Sequence, residues 1–422
     1  MPRSVRFLFC LLVAAYPNAL PPIVLGAPPA EKLSSVPAGT WIGAAELNGK
    51  QVPFRLELRG TGDNVQGILF NGGKRSASSS GSFSNHHLVL HFDYYANLLD
   101  ATLNDGNLNG TFGGPSHDVP LTAHLNGESV APSGGAPNIS GDWKVAVQGP
   151  KGEHFWKLRV QQTGPRVVAV IERIDGDTGN LYGDWHDGKF AVSHFTAAGP
   201  SYAELRPQAD GTLQLLTFDH AGGLLTLPAI RAGGAEKHEA ADDPLQHTVL
   251  KNPTEPLAFN FPDLSGKLVS NTDSEFKGKA LIVSIGGSWC PNCQDEAPFL
   301  ETLYRKFHGQ GLEVVEVSFE EESQLKDPAR LKAVIRRFGI TYQVLLAGTP
   351  DQLKEKFPKV NNLDCWPTTF YVGRDGRVKA IHTGYAGPAT GNDNDELRNE
   401  TLTLVQRLLS GKQQHPHLAS LR

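Results

Sequence analysis

The 422-residue chain has only four cysteines, which excludes a disulfide-dense scaffold. It has little net charge, -5 at pH 7, so there is no basic field to hold a nucleic-acid backbone and no polybasic cluster to hold an anionic membrane. Long apolar runs are missing too. The run at residues 7–15 falls well short of the roughly 20 residues that cross a bilayer, and no later segment is more apolar. Glycine (45) and proline (29) are abundant instead, a turn-rich composition that favours β-structure. With hydrophobic residues at 39% and charged residues at 20%, the chain is not disordered as a whole. Its length exceeds one ordinary domain of about 100–200 residues, so two or three domains are expected.

Arg3 and Arg6 precede the apolar run, and Pro17, Pro21 and Pro22 follow it. Residues 1–26 therefore read as a secretory signal peptide, cut after Gly26, with Val24 and Gly26 as the small residues flanking Leu25. Cuts after Ala15 or Ala30 and a short uncleaved anchor are the alternatives. Cys10 sits inside the run and leaves with it. The remainder is expected to be exported, periplasmic in a bacterium, with no transmembrane segment once the signal is removed. It keeps Cys290, Cys293 and Cys365. An odd count leaves one thiol unpaired or paired elsewhere, so in an oxidising compartment thiol chemistry comes first.

Short runs of period-two polarity, such as residues 54–58, 88–92 and 156–160, are separated by Gly, Asn and Asp clusters. They predict an all-β region with an internal repeat at a shift of 102 residues. Gly39-Thr40-Trp41 aligns with Gly141-Asp142-Trp143, and Phe54-Arg55-Leu56 with Trp156-Lys157-Leu158. Gly62 aligns with Gly164, Val65 with Val167, Gly81 with Gly183, and residues 101–103 with 203–205. Two tandem modules follow, 38–127 and 138–232, each a sandwich or small barrel, joined by the Pro/Gly/Ser stretch 131–137. A chance match of two Gly-rich β-regions is the other reading.

A charged linker, 233–254, leads into 255–412, where the pattern changes to α/β. Strands are predicted at 281–285, 312–317, 342–346, 369–372 and 378–382, and helices at 295–307, 329–338 and 395–409. This order implies a central sheet covered by helices.

Trp289-Cys290-Pro291-Asn292-Cys293 falls where the first of these strands ends and a helix begins. Free backbone N–H groups and the helix dipole favour an anion there, so the Cys290 pKa is expected to fall. Only a thiolate attacks a disulfide, and a second cysteine one helical turn on can resolve the mixed disulfide. A permanent structural bridge is the bland alternative. A zinc half-site would need two more ligands of suitable spacing, and none is evident in the sequence.

With these residues in place, 255–410 resembles the thioredoxin-fold disulfide reductases of the TlpA/ResA type. The carriers are 276–284, the stretch Gly287-Ser288-Trp289-Cys290-Pro291-Asn292-Cys293 running on to Pro298, Trp366-Pro367-Thr368-Thr369-Phe370, and 373–387. The resemblance implies that Cys290 is the exposed attacking thiol and Cys293 the buried resolving one. It implies that Glu296 lies near the buried sulfur as a proton acceptor, its pKa raised by burial. Pro298 would kink the helix. Pro367 would follow a cis peptide bond beside the redox pair and leave backbone groups free to pair with an extended client. Trp289, Trp366 and Thr368 would touch that client. Cofactors other than the Cys290–Cys293 disulfide, and metals, are not implied. Partners would be protein disulfide or thiol clients and a membrane electron donor or acceptor.

Two residues depart from the simplest family pattern. Trp366 stands where a small or β-branched residue is common, as an apolar platform or a restriction on access. Cys365 would lie near the pair as a third thiol or as a small buried hydrophobe. His382 reads as a strand-edge residue, His415 and His417 as too sparse for a metal site, and 320–322 as a solvated acidic loop. Two other functions compete. One is a thiol peroxidase of the peroxiredoxin type, although Ile285-Gly286-Gly287-Ser288-Trp289-Cys290 lacks the expected upstream Pro and Thr. The other is a binding or scaffold protein whose β-modules recruit a client to an accessory redox domain.

Overall fold

Alternation builds the first half of the molecule. In Lys50–Thr61, Val52, Phe54, Leu56 and Leu58 are buried while Gln51, Pro53, Arg55 and Arg59 face water. A strand of this kind needs one covered face only, and antiparallel sheets supply that. The computed structural model describes residues 37–114, 117–127, 134–219, 221–233 and 242–410. The signal-peptide expectation for 1–26, Cys10, residues 131–133 and 234–241 of the two linkers, His415 and His417 lie outside the described residues.

The first module is a nine-stranded antiparallel sheet in the order Lys74–Ala77, Asn64–Asn71, Lys50–Thr61, Gly39–Leu47, His117–Leu125, Asn107–Gly114, Asn97–Asn104, His87–Phe92, Ser80–Ser84. It curls into a half-barrel. The second module closes. Its sheet runs Phe155–Thr163, Gly141–Ala146, Leu224–Arg231, Leu213–Phe218, Gly199–Pro207, Lys189–Thr196, Leu181–His186, Arg166–Arg173, and Arg166–Arg173 pairs back onto Phe155–Thr163. The two-residue strand Gly176–Asp177 is a short appendage on Arg166–Arg173.

Several strand pairings in the two modules are equivalent. Trp41 pairs with Leu56 and Trp143 with Leu158, both at the shift of 102. Each indole N–H donates four residues back, Trp41 to the Pro37 carbonyl (3.2 Å) and Trp143 to that of Ile139 (2.9 Å). Gly62 and Gly164 turn equivalent hairpins at φ of 55° and 58°, a region where a side chain is strained. The correspondence ends after Asn97–Asn104 and Gly199–Pro207, because the following turn is longer in the second copy.

The open first sheet is completed by its neighbour. Phe195 of the second module lies with its ring centroid 4.9 Å from both Phe54 and Phe112 and is buried with them. Glu204 of the second module, fully buried, accepts from Lys50, Lys189, Tyr202 and Arg206, so one carboxylate ties the modules together. A charge can be buried in this way because it is fully paired.

The C-terminal part has a five-stranded sheet in the order Gln343–Gly348, Leu312–Phe319, Ala280–Gly286, Thr368–Val372, Val378–Thr383. The first three strands are parallel, and the last two join antiparallel. Every residue of Ala280–Gly286 is buried, as expected of a central strand covered on both faces. Helices Pro291–Phe307, Ala329–Phe338 and Asn392–Ser410 cover it, the second stopping at Gly339 with φ of 62°. The predicted strands and helices occur in the predicted order, with two short helices, Glu322–Lys326 and Leu353–Lys356, that were not predicted. The first helix starts four residues earlier than predicted, at Pro291, because Cys290 caps it and Pro291 fits its first turn. No helix among the described residues is long and apolar enough to cross a membrane.

Candidate redox site

The central strand delivers Gly286, Gly287, Ser288 and Trp289 to the edge of the sheet, and the chain turns there into the helix Pro291–Phe307. The turn is fixed by a buried ionic network absent from the sequence reading. Glu320 accepts from the Ser288 backbone N–H (2.7 Å), the Ser288 hydroxyl (2.7 Å), the Ser318 hydroxyl (2.8 Å) and Arg330 Nη2 (2.8 Å). Arg330 Nε also donates to Ser288 Oγ (2.7 Å). The expectation of a solvated loop at 320–322 therefore fails at its first residue: Glu320 is 0% exposed, whereas Glu321 and Glu322 face water. The signal was present in part. Glu320 follows directly on an apolar strand, but its basic partner comes from another helix and no local pattern connects them.

Cys290 is the N-cap of this helix, and its sulfur accepts the Cys293 backbone N–H at 3.1 Å. The two sulfurs are bonded to each other. The Trp366–Pro367 peptide is cis, and the Trp366 carbonyl oxygen lies 3.6 Å from Cys290 Sγ. The exposures reverse the expectation from the resemblance. Cys290 is only 3% exposed, and Cys293 is half-buried. Close by, residues of the second β-module reach the motif, where Asn292 Nδ2 donates to the Asp175 carbonyl (3.3 Å).

Glu296 is buried under the sheet, with Oε2 accepting from Ser284 Oγ (2.9 Å) and Oε1 from Thr369 Oγ1 (2.8 Å). Burial pushes its pKa up to about 7, against the two hydroxyl donors that pull it down. Glu316, opposite Ser284 on the neighbouring strand, is likewise raised to about 7, first by burial and then by the Glu320 charge. Sequence reasoning missed it, because an acidic residue within a strand reads as its solvent-facing half. Pro298 lies inside the same helix, as placed by sequence.

The aromatic platform forms. Trp289 donates its indole N–H to the Phe319 carbonyl (2.9 Å), its ring stands edge-on to Trp366 at 5.4 Å, and Trp366 packs on Phe319 at 5.6 Å. A Cβ on Gly287 would overlap the Trp289 indole nitrogen and the Phe319 carbonyl, so this platform needs glycine there. Thr368 departs from its expected place beside a client. It is fully buried, and its hydroxyl donates to the Cys365 carbonyl (2.9 Å), closing the loop before Pro367. Cys365 is a free, fully buried thiol whose Sγ donates to Asp364 Oδ1 (3.4 Å), and burial drives its pKa well above the usual thiol range. His247 Nε2 lies 2.9 Å from the same carboxylate oxygen. His247, Asp364 and Cys365 thus present ligand atoms within 4.8 Å of one another, a trio that could hold a metal ion. Sequence reasoning missed it, because His247 lies within the linker 233–254, more than 100 residues from its partners. His382 is a half-buried residue of the edge strand, bonded to the Gly384 carbonyl (3.0 Å).

Residues 254–381 match the AhpC/TSA family. Over 126 residues, 30% of this chain, the sequence is 29% identical to the thiol-disulfide oxidoreductase ResA of Geobacillus thermodenitrificans (strain NG80-2) and 30% identical to that of Geobacillus kaustophilus (strain HTA426). The match spans 66% of each of those proteins, just under two thirds of their length. ResA of Bacillus subtilis (strain 168) is 28% identical over the same number of residues, 126, and 64% of its length. Among solved structures, a thiol:disulfide interchange protein of the thioredoxin family from Chlorobium tepidum TLS is 23% identical, covering 37% of this chain and 97% of that one at a TM-score of 0.30. The C-terminal part of the chain carries an AhpC/TSA-family domain similar to the ResA thiol-disulfide oxidoreductases.

Proposed function

We propose that this chain is an exported thiol–disulfide oxidoreductase that reduces protein disulfides through Cys290 and Cys293. The observation that carries the reading is the cap geometry. Cys290 Sγ accepts a helix N-terminal N–H at 3.1 Å, so the site stabilises negative charge on the sulfur that must attack. In the reduced protein the Cys290 thiolate attacks one sulfur of a client disulfide, forming a mixed disulfide and releasing the other client sulfur as a thiolate. Cys293 gives up its proton and attacks Cys290. That step closes the Cys290–Cys293 bond and frees the second client thiol, so two electrons have passed to the client. Glu296 is the buried group suited to take the Cys293 proton, because its pKa of about 7 lets it exchange a proton near neutral pH. Trp289, Trp366 and the backbone at Pro367 border the groove for the client. The disulfide is the only redox group this cycle needs. A membrane-bound donor would reopen it, and the periplasm of a bacterium would be the setting.

A redox titration of Cys290–Cys293, followed by Trp289 fluorescence in thiol buffers with Cys365→Ser as control, tests the reading. A midpoint near or below about -250 mV supports a reductase, since thioredoxin lies near -270 mV. A midpoint near about -120 mV makes it a donor of disulfides instead. Absence of a reversible transition overturns the redox reading. The AhpC/TSA match favours one second reading, a thiol peroxidase. Faster oxidation by hydroperoxides than by disulfides would select it.

A further inference from the structure

Cys290 is buried, and beside it the tip of a hairpin in the second β-module, between Arg166–Arg173 and Gly176–Asp177, lies against Asn292. Asn292, within the redox motif, donates through Nδ2 to the Asp175 carbonyl (3.3 Å). The Gly387 N–H donates to Asp177 Oδ2 (2.6 Å). Two glycines face each other's strands at a distance no side chain tolerates. A Cβ on Gly176 would overlap Asn292 Nδ2 and approach the Tyr385 carbonyl, and a Cβ on Gly384 would overlap the Ile174 carbonyl. Gly384 is also the residue whose N–H donates to the Pro367 carbonyl (2.7 Å). The hairpin therefore meets the redox motif at Asn292 and the stretch 384–387, which Gly384 in turn ties to the cis-proline loop.

Each hydrogen bond pairs a backbone group with a side chain, the Asp175 carbonyl with Asn292 and the Gly387 N–H with Asp177, and glycines at 176 and 384 allow the close approach. Lys151 holds the tip from its own module by pairing with Asp175 (2.6 Å). Behind the tip the modules are anchored separately, by Arg159 and Lys157 on Asp393 and by the Tyr94 carbonyl on Gln294 (2.7 Å).

We propose that residues 174–177 occupy the groove in which an extended client segment lies, so that the structure is a self-capped state and the tip must lift before a disulfide or thiol reaches Cys290. This rests on the oxidoreductase reading above. A client then competes with a segment already present in the same chain, and only a segment that pairs well along the groove displaces it. The β-modules thereby act as a filter on what the redox pair touches.

The test uses the full chain in its oxidised form and a water-soluble phosphine, which becomes the phosphine oxide as both sulfurs leave as thiols. Reduction is followed by Trp289 fluorescence. In the unaltered chain the rate is expected to level off as phosphine concentration rises, because lifting becomes limiting. A rate linear in phosphine to the highest concentration overturns the cap. Gly176→Val places a side chain against Asn292, and it is expected to speed reduction at least ten-fold while the barrel's circular dichroism is kept. If that variant does not fold, Asp177→Ala, which removes the bond to Gly387, is expected to shift the plateau upward. A plateau unchanged in Asp177→Ala, or a rate in folded Gly176→Val within two-fold of the parent, also overturns the cap. Failure of the oxidoreductase reading looks different, because the pair would then show no reversible titration in thiol buffers whatever the phosphine kinetics.

Discussion

Ser284, at the centre of the middle strand, donates its hydroxyl to Glu296 across 2.9 Å, from sheet to helix. The bond places a carboxyl group in the driest part of the domain, and burial raises its pKa from 4.5 to about 7. A raised carboxyl favours the folded state fully below its unfolded pKa and loses that contribution as pH climbs through the folded one. Stability is therefore expected to fall between about pH 4.5 and 7 on account of Glu296, with Glu316 acting in the same direction. Glu296→Gln should remove its share and raise stability at pH 8 by up to about 3 kcal/mol. Urea unfolding at pH 5 and pH 8 checks this, and parallel pH profiles for parent and variant would refute it.

Arg330 and Glu320 form a pair that is hidden from solvent and shared with Ser288. Removing one partner leaves a buried charge, which costs about 3–5 kcal/mol, whereas replacing both by neutral groups is often close to neutral. Arg330→Met alone is expected to lower stability by that amount, and Arg330→Met with Glu320→Gln to recover most of it. Denaturant titration of the two variants decides. Equal losses would mean that the charge pairing carries nothing.

Trp41 and Trp143 hold equivalent places in the two copies, each almost fully buried and each bonded four residues back. Substitution of either by alanine should cost about 3–5 kcal/mol, from lost packing and the cavity left behind. Trp143→Phe should cost less, because only the bond to Ile139 and part of the ring are lost. Differential scanning calorimetry of the three variants gives the order. A Trp143→Phe loss as large as that of Trp143→Ala would contradict it.

Cys365 answers to a labelling experiment. Its thiol is buried and burial raises its pKa, so thiolate is scarce and shielded. Iodoacetamide is expected to leave the Cys365 peptide unmodified in the native oxidised chain and to modify it after unfolding, as read by mass spectrometry. Rapid native labelling would restore the idea of a working third thiol.

The features legible from sequence were those set by local pattern. Period-two runs gave the strands, the spacing of Trp and Gly gave the repeat, and a Cys-x-x-Cys between strand and helix gave the redox pair. What was not legible depends on chain segments far apart. One β-region closes and the other stays open because Phe195 fills its mouth, and no local signal in the first copy announces that. Glu320 is buried because Arg330 reaches it, and Asn292 of the redox motif is bonded to Asp175 of the second module. Each of these pairs brings together residues that no helical or strand period relates.

The half-barrel and the barrel precede the redox motif in the chain. During synthesis, domains fold in order from the N-terminus. In the self-capped state proposed above, the groove's occupant thus precedes Cys290 and Cys293 in chain order, and the new redox pair meets its own chain first. Mispairing with other nascent thiols is limited by chain order itself, before any partner or chaperone acts.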